Sequence, residues 1–133
     1  MNTKRDLFMN ARVLFTISNC GHCHQYHKFI ERLNLNLPYD KRIKIVDATN
    51  YYEFNIDDDF LLKAFRNHIG GAFPVLFFEG TRIDGSNTRT ETEAWLRARL
   101  HDDFIIKEPN PYIYSKDCEF IKSGRFKKKL VCQ

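Results

Sequence analysis

The feature that most constrains the fold is a buried strand followed by an amphipathic helix and a second strand. Arg12–Ser18 is rich in β-branched and aromatic residues, which is typical of a strand buried on both faces. The apolar residues that follow recur at helical steps of four, three and four: Tyr26, Ile30, Leu33 and Leu37. Pro38 ends that helix, and Arg42–Ala48 alternates apolar and polar residues as a second strand does. Such a β–α–β unit strongly favours a parallel pair of strands with a right-handed crossover.

The rest of the body continues as helix, strand, strand and helix. The predicted elements are a helix over Asn55–His68, strands over Phe73–Glu79 and Thr81–Ile83, and a helix over Thr90–Leu100. We expect Phe60, Ala64 and Ile69 on the buried side of the first helix, and Trp95 in the core beneath the second. The order β-α-β-α-β-β-α predicts an α/β domain over residues 11–101, preceded by a polar, flexible N-terminus at residues 1–10.

The net charge of +4 is concentrated near the C-terminus. Residues 1–106 carry 14 basic and 14 acidic residues, whereas residues 107–133 carry seven basic and three acidic ones. Within an extension at residues 102–133, Glu119–Lys122 and Arg125–Val131 flank Ser123-Gly124 and predict a basic β-hairpin. A neutral body with a basic tail disfavours a domain that coats nucleic acid, but it allows a local contact with an acidic partner.

Composition and targeting signals narrow the class of protein. No apolar run approaches the roughly 18–20 residues of a transmembrane helix, so no membrane partner is expected. The first residues lack the apolar region of a secretory signal peptide, so we expect a cytoplasmic protein in a reducing compartment. In that setting, cysteines two residues apart indicate redox chemistry or half of a zinc site rather than a structural disulfide framework.

Cys20 and Cys23 lie where the first strand passes into the helix. A sulfur at a helix N-cap accepts hydrogen bonds from backbone N–H groups and meets the positive end of the helix dipole, and both effects favour thiolate over thiol. Cys20 is therefore the predicted nucleophile, and the more shielded Cys23 is placed to attack a mixed disulfide formed there. Gly21 leaves room for a partner, and a partly protonated His22 would stabilise the Cys20 thiolate further.

Two segments of the body carry a resemblance to a known family. VLFTISNCGHC resembles the opening of a glutaredoxin, and FPVLFFEGTRIDGS resembles that family's T-V-P-x-V-F-[IV]-x-G-x-x-I-G-G motif. The two segments occur in the family's order, with the expected elements between them. On these residues the body resembles the glutaredoxins of the thioredoxin superfamily. The resemblance implies a thioredoxin fold, with a mixed four-stranded sheet flanked by helices, and a thiol–disulfide oxidoreductase activity.

The same resemblance implies a set of substrate-binding residues. Pro74 matches the proline that the superfamily holds in cis beside its active site, where the N–H and C=O of Phe73 would pair with an extended peptide or glutathione. Gly85 falls in the family's Gly-Gly turn, and Ser86 begins the stretch that follows it. The implied partner is a disulfide-containing protein or a glutathione mixed disulfide. Glutathione as co-substrate or a reductase would supply electrons, and no tightly bound cofactor or metal is expected.

The sequence departs from the glutaredoxin pattern at positions that meet glutathione. The departures are Ile17 in place of a basic residue, Gly21-His22 in place of Pro-Tyr, Phe73 in place of Thr, and Ser86-Asn87-Thr88 in place of an acidic pair. Arg82 and Arg89 are candidate substitutes for the missing charged anchors. Gly-His between the cysteines resembles protein disulfide isomerases, so an oxidising or isomerising protein that forms disulfides is a second candidate.

The sequence is also compatible with functions outside redox chemistry. A binding module would dock an acidic protein or nucleic acid through the basic tail, although nucleic acid is the less expected partner. A zinc site at Cys20 and Cys23 would need two more ligands, for which the neighbouring candidates are His22, His24 and His27. A hairpin turning at Ser123-Gly124 would pair Cys118 roughly with Lys129 rather than Cys132, which favours free thiols over a disulfide. We expect a monomer.

Overall fold

Ten α-helices and β-strands make up the described part of the chain. The computed structural model describes residues 3–50, 60–70, 72–105, 119–122 and 128–131. The elements in chain order are α1 (Thr3–Asn10), β1 (Arg12–Thr16), α2 (Gly21–Leu35), β2 (Lys44–Asp47), α3 (Phe60–Phe65), β3 (Val75–Phe78), β4 (Thr81–Ile83), α4 (Arg89–Leu100), β5 (Glu119–Lys122) and β6 (Lys128–Val131). No helix among these residues is long and apolar enough to cross a membrane.

The first four strands form one mixed sheet in the order β2-β1-β3-β4. β1 and β2 are parallel, with Val13 opposite Lys44, which confirms the parallel pair predicted from the sequence. β3 is antiparallel to β1 and to β4, with Phe15 opposite Val75 on one side and Leu76 opposite Ile83 on the other. The architecture is therefore mixed α/β, and its central strands are β1 and β3.

The two central strands are buried on both faces, as their apolar sequences predict. Alternate residues of a strand point to opposite sides, so Leu14 joins the cluster that includes residues of α2 and α4, whereas Val13 and Phe15 join the cluster that includes residues of α3. The predicted apolar stripe of α2 is completely covered, and Trp95 of α4 lies in the same cluster. Helices thus cover both faces of the sheet, as parallel strand pairs require.

The N-terminal segment differs from the predicted flexible stretch. Residues Thr3–Asn10 form α1, and Leu7 and Phe8 pack against the cluster on the α3 side of the sheet. The Phe8 ring centroid lies 6.0 Å from that of Phe77 and 6.3 Å from that of Phe65. Three adjacent apolar residues, Leu7, Phe8 and Met9, give no detectable helical period in this octapeptide, so the sequence pattern missed a helix that tertiary packing stabilises.

The second predicted helix is also corrected by the structure. Within the described residues it comprises α3 and a 3₁₀ turn at Arg66–His68, and the part predicted at residues 55–59 lies outside them. Phe60 is 74% exposed and Ala64 is exposed, so they do not form the buried side. Ile69 is buried as predicted, and Leu62 and Phe65 complete the buried side. The prediction was wrong for Phe60 and Ala64, because the apolar run over Phe60, Leu61 and Leu62 does not by itself show which residue faces the core.

The last two strands form a separate antiparallel pair, as the predicted basic hairpin requires. Its register pairs Glu119 with Val131 and Ile121 with Lys129, so the predicted pairing of Cys118 with Lys129 is wrong by three residues. Cys118 and Cys132 themselves lie outside the described residues.

The two phenylalanines of α3 provide a test of this packing. Phe65 is 2% exposed, and its ring lies 4.5 Å from the Phe77 ring, whereas Phe60 is 74% exposed. Phe65→Ala is expected to lower the free energy of unfolding by about 3–5 kcal/mol because it leaves a cavity, and Phe60→Ala by less than about 0.5 kcal/mol. Urea denaturation of both variants measures the difference. Equal losses would contradict the observed orientation of α3.

Candidate functional site

Three loops meet at one edge of the sheet. β1 ends at Thr16 beside the start of β3, because the two strands are antiparallel and Phe15 faces Val75. β4 is antiparallel to β3 and therefore ends at the same edge, with Ile83 opposite Leu76. The loop before Cys20, the loop before β3 and the turn after β4 thus leave the sheet side by side. The strand order alone brings the separate motifs of the sequence to one edge.

The two cysteines form a disulfide at the N-terminus of α2. Their Cα atoms are 5.2 Å apart. Cys20 is the N-cap residue, with extended backbone angles, and its Sγ accepts a hydrogen bond from the Cys23 N–H at 3.1 Å. Cys20 is partly exposed, whereas Cys23 is 2% exposed. The predicted contrast between an accessible outer sulfur and a shielded inner sulfur is confirmed.

The loop that delivers Cys20 is anchored to the end of β2. The Asp47 carboxylate accepts a hydrogen bond from the Thr49 N–H at 2.9 Å, and the Thr49 hydroxyl accepts one from the Ser18 N–H at 3.0 Å. Asn19, directly before Cys20, has φ of 58°, a left-handed conformation that asparagine adopts more readily than most residues. The path of the chain into the helix is therefore fixed by local hydrogen bonds and by residue type.

His22 and Tyr26 connect α2 to the segment before α4. His22 Nε2 lies 3.4 Å from the Asn87 carbonyl oxygen, which can only accept, so a hydrogen bond between them is one that Nε2 donates. The buried Tyr26 hydroxyl donates to the same oxygen at 3.0 Å and lies 2.8 Å from the Thr92 hydroxyl. Burial raises the pKa of Tyr26 to about 12, so it remains a neutral donor at physiological pH. The predicted influence of His22 on the Cys20 thiolate stays a prediction.

The loop before β3 and the turn after β4 are joined through their backbones. The Phe73–Pro74 peptide bond is cis, as the resemblance led us to expect. The Gly85 N–H donates to the Ala72 carbonyl oxygen at 2.7 Å. A Cβ atom on Gly85 would collide with the Phe73 carbonyl group. Glycine is therefore required at position 85 by close approach of the two chain segments.

An ion pair between Arg82 and Asp84, with the hydrogen bonds around it, stabilises the turn after β4 and links β4 to the segment that precedes β3. One carboxylate oxygen of Asp84 accepts from the Ser86 N–H at 2.9 Å and from the Ser86 hydroxyl at 2.6 Å, and the other accepts from Arg82 Nη1 at 2.9 Å. Burial works against ionisation of Asp84, but the hydrogen bonds from Ser86 and Arg82 outweigh it and lower the pKa of Asp84. Arg82 also donates to the carbonyl oxygens of residues His68, Ile69 and Gly70.

The predicted site residues fall into two groups in the structure. Cys20, Gly21, Cys23 and His22 form the start of α2, while Phe73, Pro74, Gly85 and Ser86 form the adjoining loops. Arg82 is engaged with Asp84 and three carbonyl groups, which disfavours it as a replacement anchor for glutathione. Sequence reasoning missed Asn87 and Tyr26 as the link between α2 and α4. The Thr88–Glu91 spacing, an N-cap signal that the structure uses, was available to locate that junction.

The chain has no significant match among protein-family models, curated proteins or solved structures. Within the described ranges, no group of three or more His, Cys, Asp or Glu side chains is arranged to hold a metal ion.

The close approach at Gly85 predicts that replacing this glycine by alanine lowers stability more than replacing Gly21 does. Gly85→Ala is expected to lower the free energy of unfolding by about 1–3 kcal/mol, because the new methyl group must displace the Phe73 backbone. Gly21→Ala is the control, because a Cβ there meets nothing within 4 Å. Chemical denaturation compares the two. If Gly85→Ala were as stable as Gly21→Ala, the described packing of the two loops would be wrong.

The Asp84 carboxylate predicts a pH dependence of stability. Because its pKa is lowered by folding, its contribution is complete above the ordinary value of 3.8 and is lost as the pH falls through the lower folded pKa. The free energy of unfolding of the wild type should therefore decrease with acidification in this range more than that of Asp84→Asn. Urea titrations at a series of pH values measure both curves. Parallel curves would contradict the role of Ser86 and Arg82.

Proposed function

We propose that this chain is a thiol–disulfide oxidoreductase of the glutaredoxin type, which exchanges electrons with protein or small-molecule disulfides through Cys20 and Cys23. The observation that carries the proposal is the disulfide at the N-terminus of α2, whose partly exposed outer sulfur is also the N-cap acceptor. A backbone N–H and the helix dipole stabilise negative charge at such a sulfur. An inert structural disulfide needs neither the helix terminus nor the exposure.

A thioredoxin-like fold with a basic C-terminal hairpin is part of the same proposal. It is supported by the order β2-β1-β3-β4, by helices on both faces of the sheet, and by three loops converging at the edge where the cysteines lie. Open α/β sheets commonly carry their reactive groups at such an edge, beyond the ends of the strands. We expect the protein to act in a reducing cytoplasm, where the pair is recycled to the dithiol.

The first step of the proposed reaction forms a mixed disulfide between the protein and its substrate. In the reduced protein the Cys20 thiolate attacks one sulfur of a substrate disulfide. A bond forms between Cys20 and that sulfur, the substrate bond breaks, and the leaving thiolate takes a proton from solvent. Gly21, which is exposed and carries no side chain, leaves the approach to Cys20 open. The Phe73 backbone, at the adjoining loop, is proposed to pair with the extended substrate.

The second step releases the substrate. Cys23 loses its proton and attacks the Cys20 sulfur of the mixed disulfide, so the Cys20–Cys23 bond forms and the second substrate sulfur leaves as a thiol. Two electrons and two protons have then passed to the substrate. Two glutathione molecules, or the dithiol of a reductase, would return them and regenerate the dithiol. Run in reverse, the same couple would oxidise a substrate dithiol.

Single replacements of the two cysteines test this division of roles. Cys20→Ser is expected to reduce turnover of insulin or of a glutathione mixed disulfide to the background rate, because it removes the attacking sulfur. Cys23→Ser is expected to accumulate a mixed disulfide on Cys20, detectable by non-reducing mass spectrometry, because it removes the resolving sulfur. Replacement of both Cys118 and Cys132 by Ser is the matched control and should keep turnover. Full activity of Cys20→Ser would refute the proposal.

A further inference from the structure

A groove lined with basic side chains runs along the exposed side of α2, next to the start of α4. It has a volume of about 720 Å³. We call its four cationic residues the basic groove: Lys28, Arg32, Arg42 and Arg89. Glu31 is the one carboxylate among its lining residues, and Glu31 already pairs with His27 Nε2 at 2.6 Å. The groove therefore has an excess of positive charge.

A buried carboxylate fixes two of these cations in place. The side chain of Glu93 is 5% exposed, and its Oε1 lies 3.4 Å from Arg32 Nη2 and 3.5 Å from Arg89 Nη1. Its other oxygen lies 3.5 Å from Arg97 Nε, so one negative charge is shared among three guanidinium groups. Arg32 and Arg89 remain 59% and 37% exposed. Glu93 therefore holds both side chains in place, while their guanidinium groups remain accessible to a ligand.

The other two cations form no ion pair within the described part of the molecule. No described carboxylate lies within ion-pair distance of Lys28 or Arg42. Arg42 Nε donates to a neutral group, the Leu37 carbonyl oxygen, at 3.2 Å. Replacing these two side chains would therefore remove charge from the groove without disturbing the Glu93 cluster.

The near end of the basic groove lies one helical turn from the first residue of α2. Gln25 is four residues after Gly21, so the two share a face of the helix next to Cys20. Arg89 is two residues after Asn87, whose carbonyl oxygen lies 3.4 Å from His22 Nε2. From Gln25 to Leu35 the helix rises about 15 Å. An extended chain of about four or five residues spans that distance. A polypeptide bound at Cys20 could therefore continue into the groove.

Building on the proposed function, we propose that the basic groove binds an acidic segment of the substrate protein, next to its reactive disulfide. Aspartate and glutamate side chains of that segment would pair with Lys28, Arg32, Arg42 and Arg89. Leu35, which is 74% exposed at the far end, offers one apolar contact. A protein segment fits better than nucleic acid, because no aromatic side chain among the described residues lines the groove for base stacking.

The test compares two peptides that carry the same intramolecular disulfide, flanked by four glutamates in one and by four glutamines in the other. The proposal expects kcat/KM for reduction of the acidic peptide to be about tenfold higher at low ionic strength, since several modest ion pairs act together. The preference should shrink in about 0.5 M NaCl, because salt screens exposed charges.

Paired charge variants separate the groove from a general effect of net charge. Lys28→Gln combined with Arg42→Gln is expected to reduce the preference for the acidic peptide to within about twofold of unity. The control combines Lys44→Gln with Lys63→Gln, which removes the same charge from exposed positions on β2 and α3. The control should keep the wild-type preference.

Each outcome decides between the two proposals. Equal reduction of both peptides by the wild type overturns the groove proposal and leaves the oxidoreductase intact. Reduction of neither peptide overturns the proposed function and the groove proposal with it. An equal loss of preference in both double variants shows a net-charge effect and overturns the groove proposal. Wild-type binding of a fluorescent single-stranded oligonucleotide that Lys28→Gln/Arg42→Gln abolishes, without any peptide preference, would instead assign the groove to nucleic acid.

Discussion

The hydrogen bond from the Cys23 N–H to the Cys20 sulfur is the interaction on which the proposed chemistry depends. It exists because Cys20 is the N-cap residue, in an extended conformation, and α2 begins at Gly21, so a backbone N–H of the first helical turn points at that sulfur. The same geometry leaves Cys23 inside the first turn and shields it. A difference in reactivity between two chemically identical side chains thus follows from their positions at one helix end.

Much of the fold follows from local patterns in the sequence. The strand over residues 12–16, the covered stripe of α2 and the β3–β4 hairpin are predictable because each carries a clear period or turn. The helix at Thr3–Asn10 is not, because its stability comes from two side chains that meet a distant cluster. The face of α3 is also decided by tertiary contacts, since Phe65 is buried and Phe60 is not.

The candidate site was predictable only in part. The cysteine pair and Pro74 stand out because few residue types perform their roles, and strand order then brings their loops to one edge. The hydrogen bond from the Tyr26 hydroxyl to the Asn87 carbonyl oxygen could not be predicted, because in the sequence Tyr26 is one more member of the apolar stripe of α2. In the sequence, the four basic residues of the groove likewise look like ordinary exposed basic residues. Only the folded chain brings Arg32 and Arg89 to the same buried Glu93.

The most direct test of the proposed chemistry is the pH dependence of Cys20 alkylation in the reduced protein. Iodoacetamide reacts with the thiolate, so the pH of half-maximal rate reports how strongly the helix end stabilises negative charge. Peptide mapping assigns the modified residue. We predict reaction at Cys20 ahead of Cys23, with a midpoint clearly below the value of about 8.5 typical of free cysteine. A midpoint at or above that value, or preferential reaction at Cys23, would contradict the proposed role of the helix end.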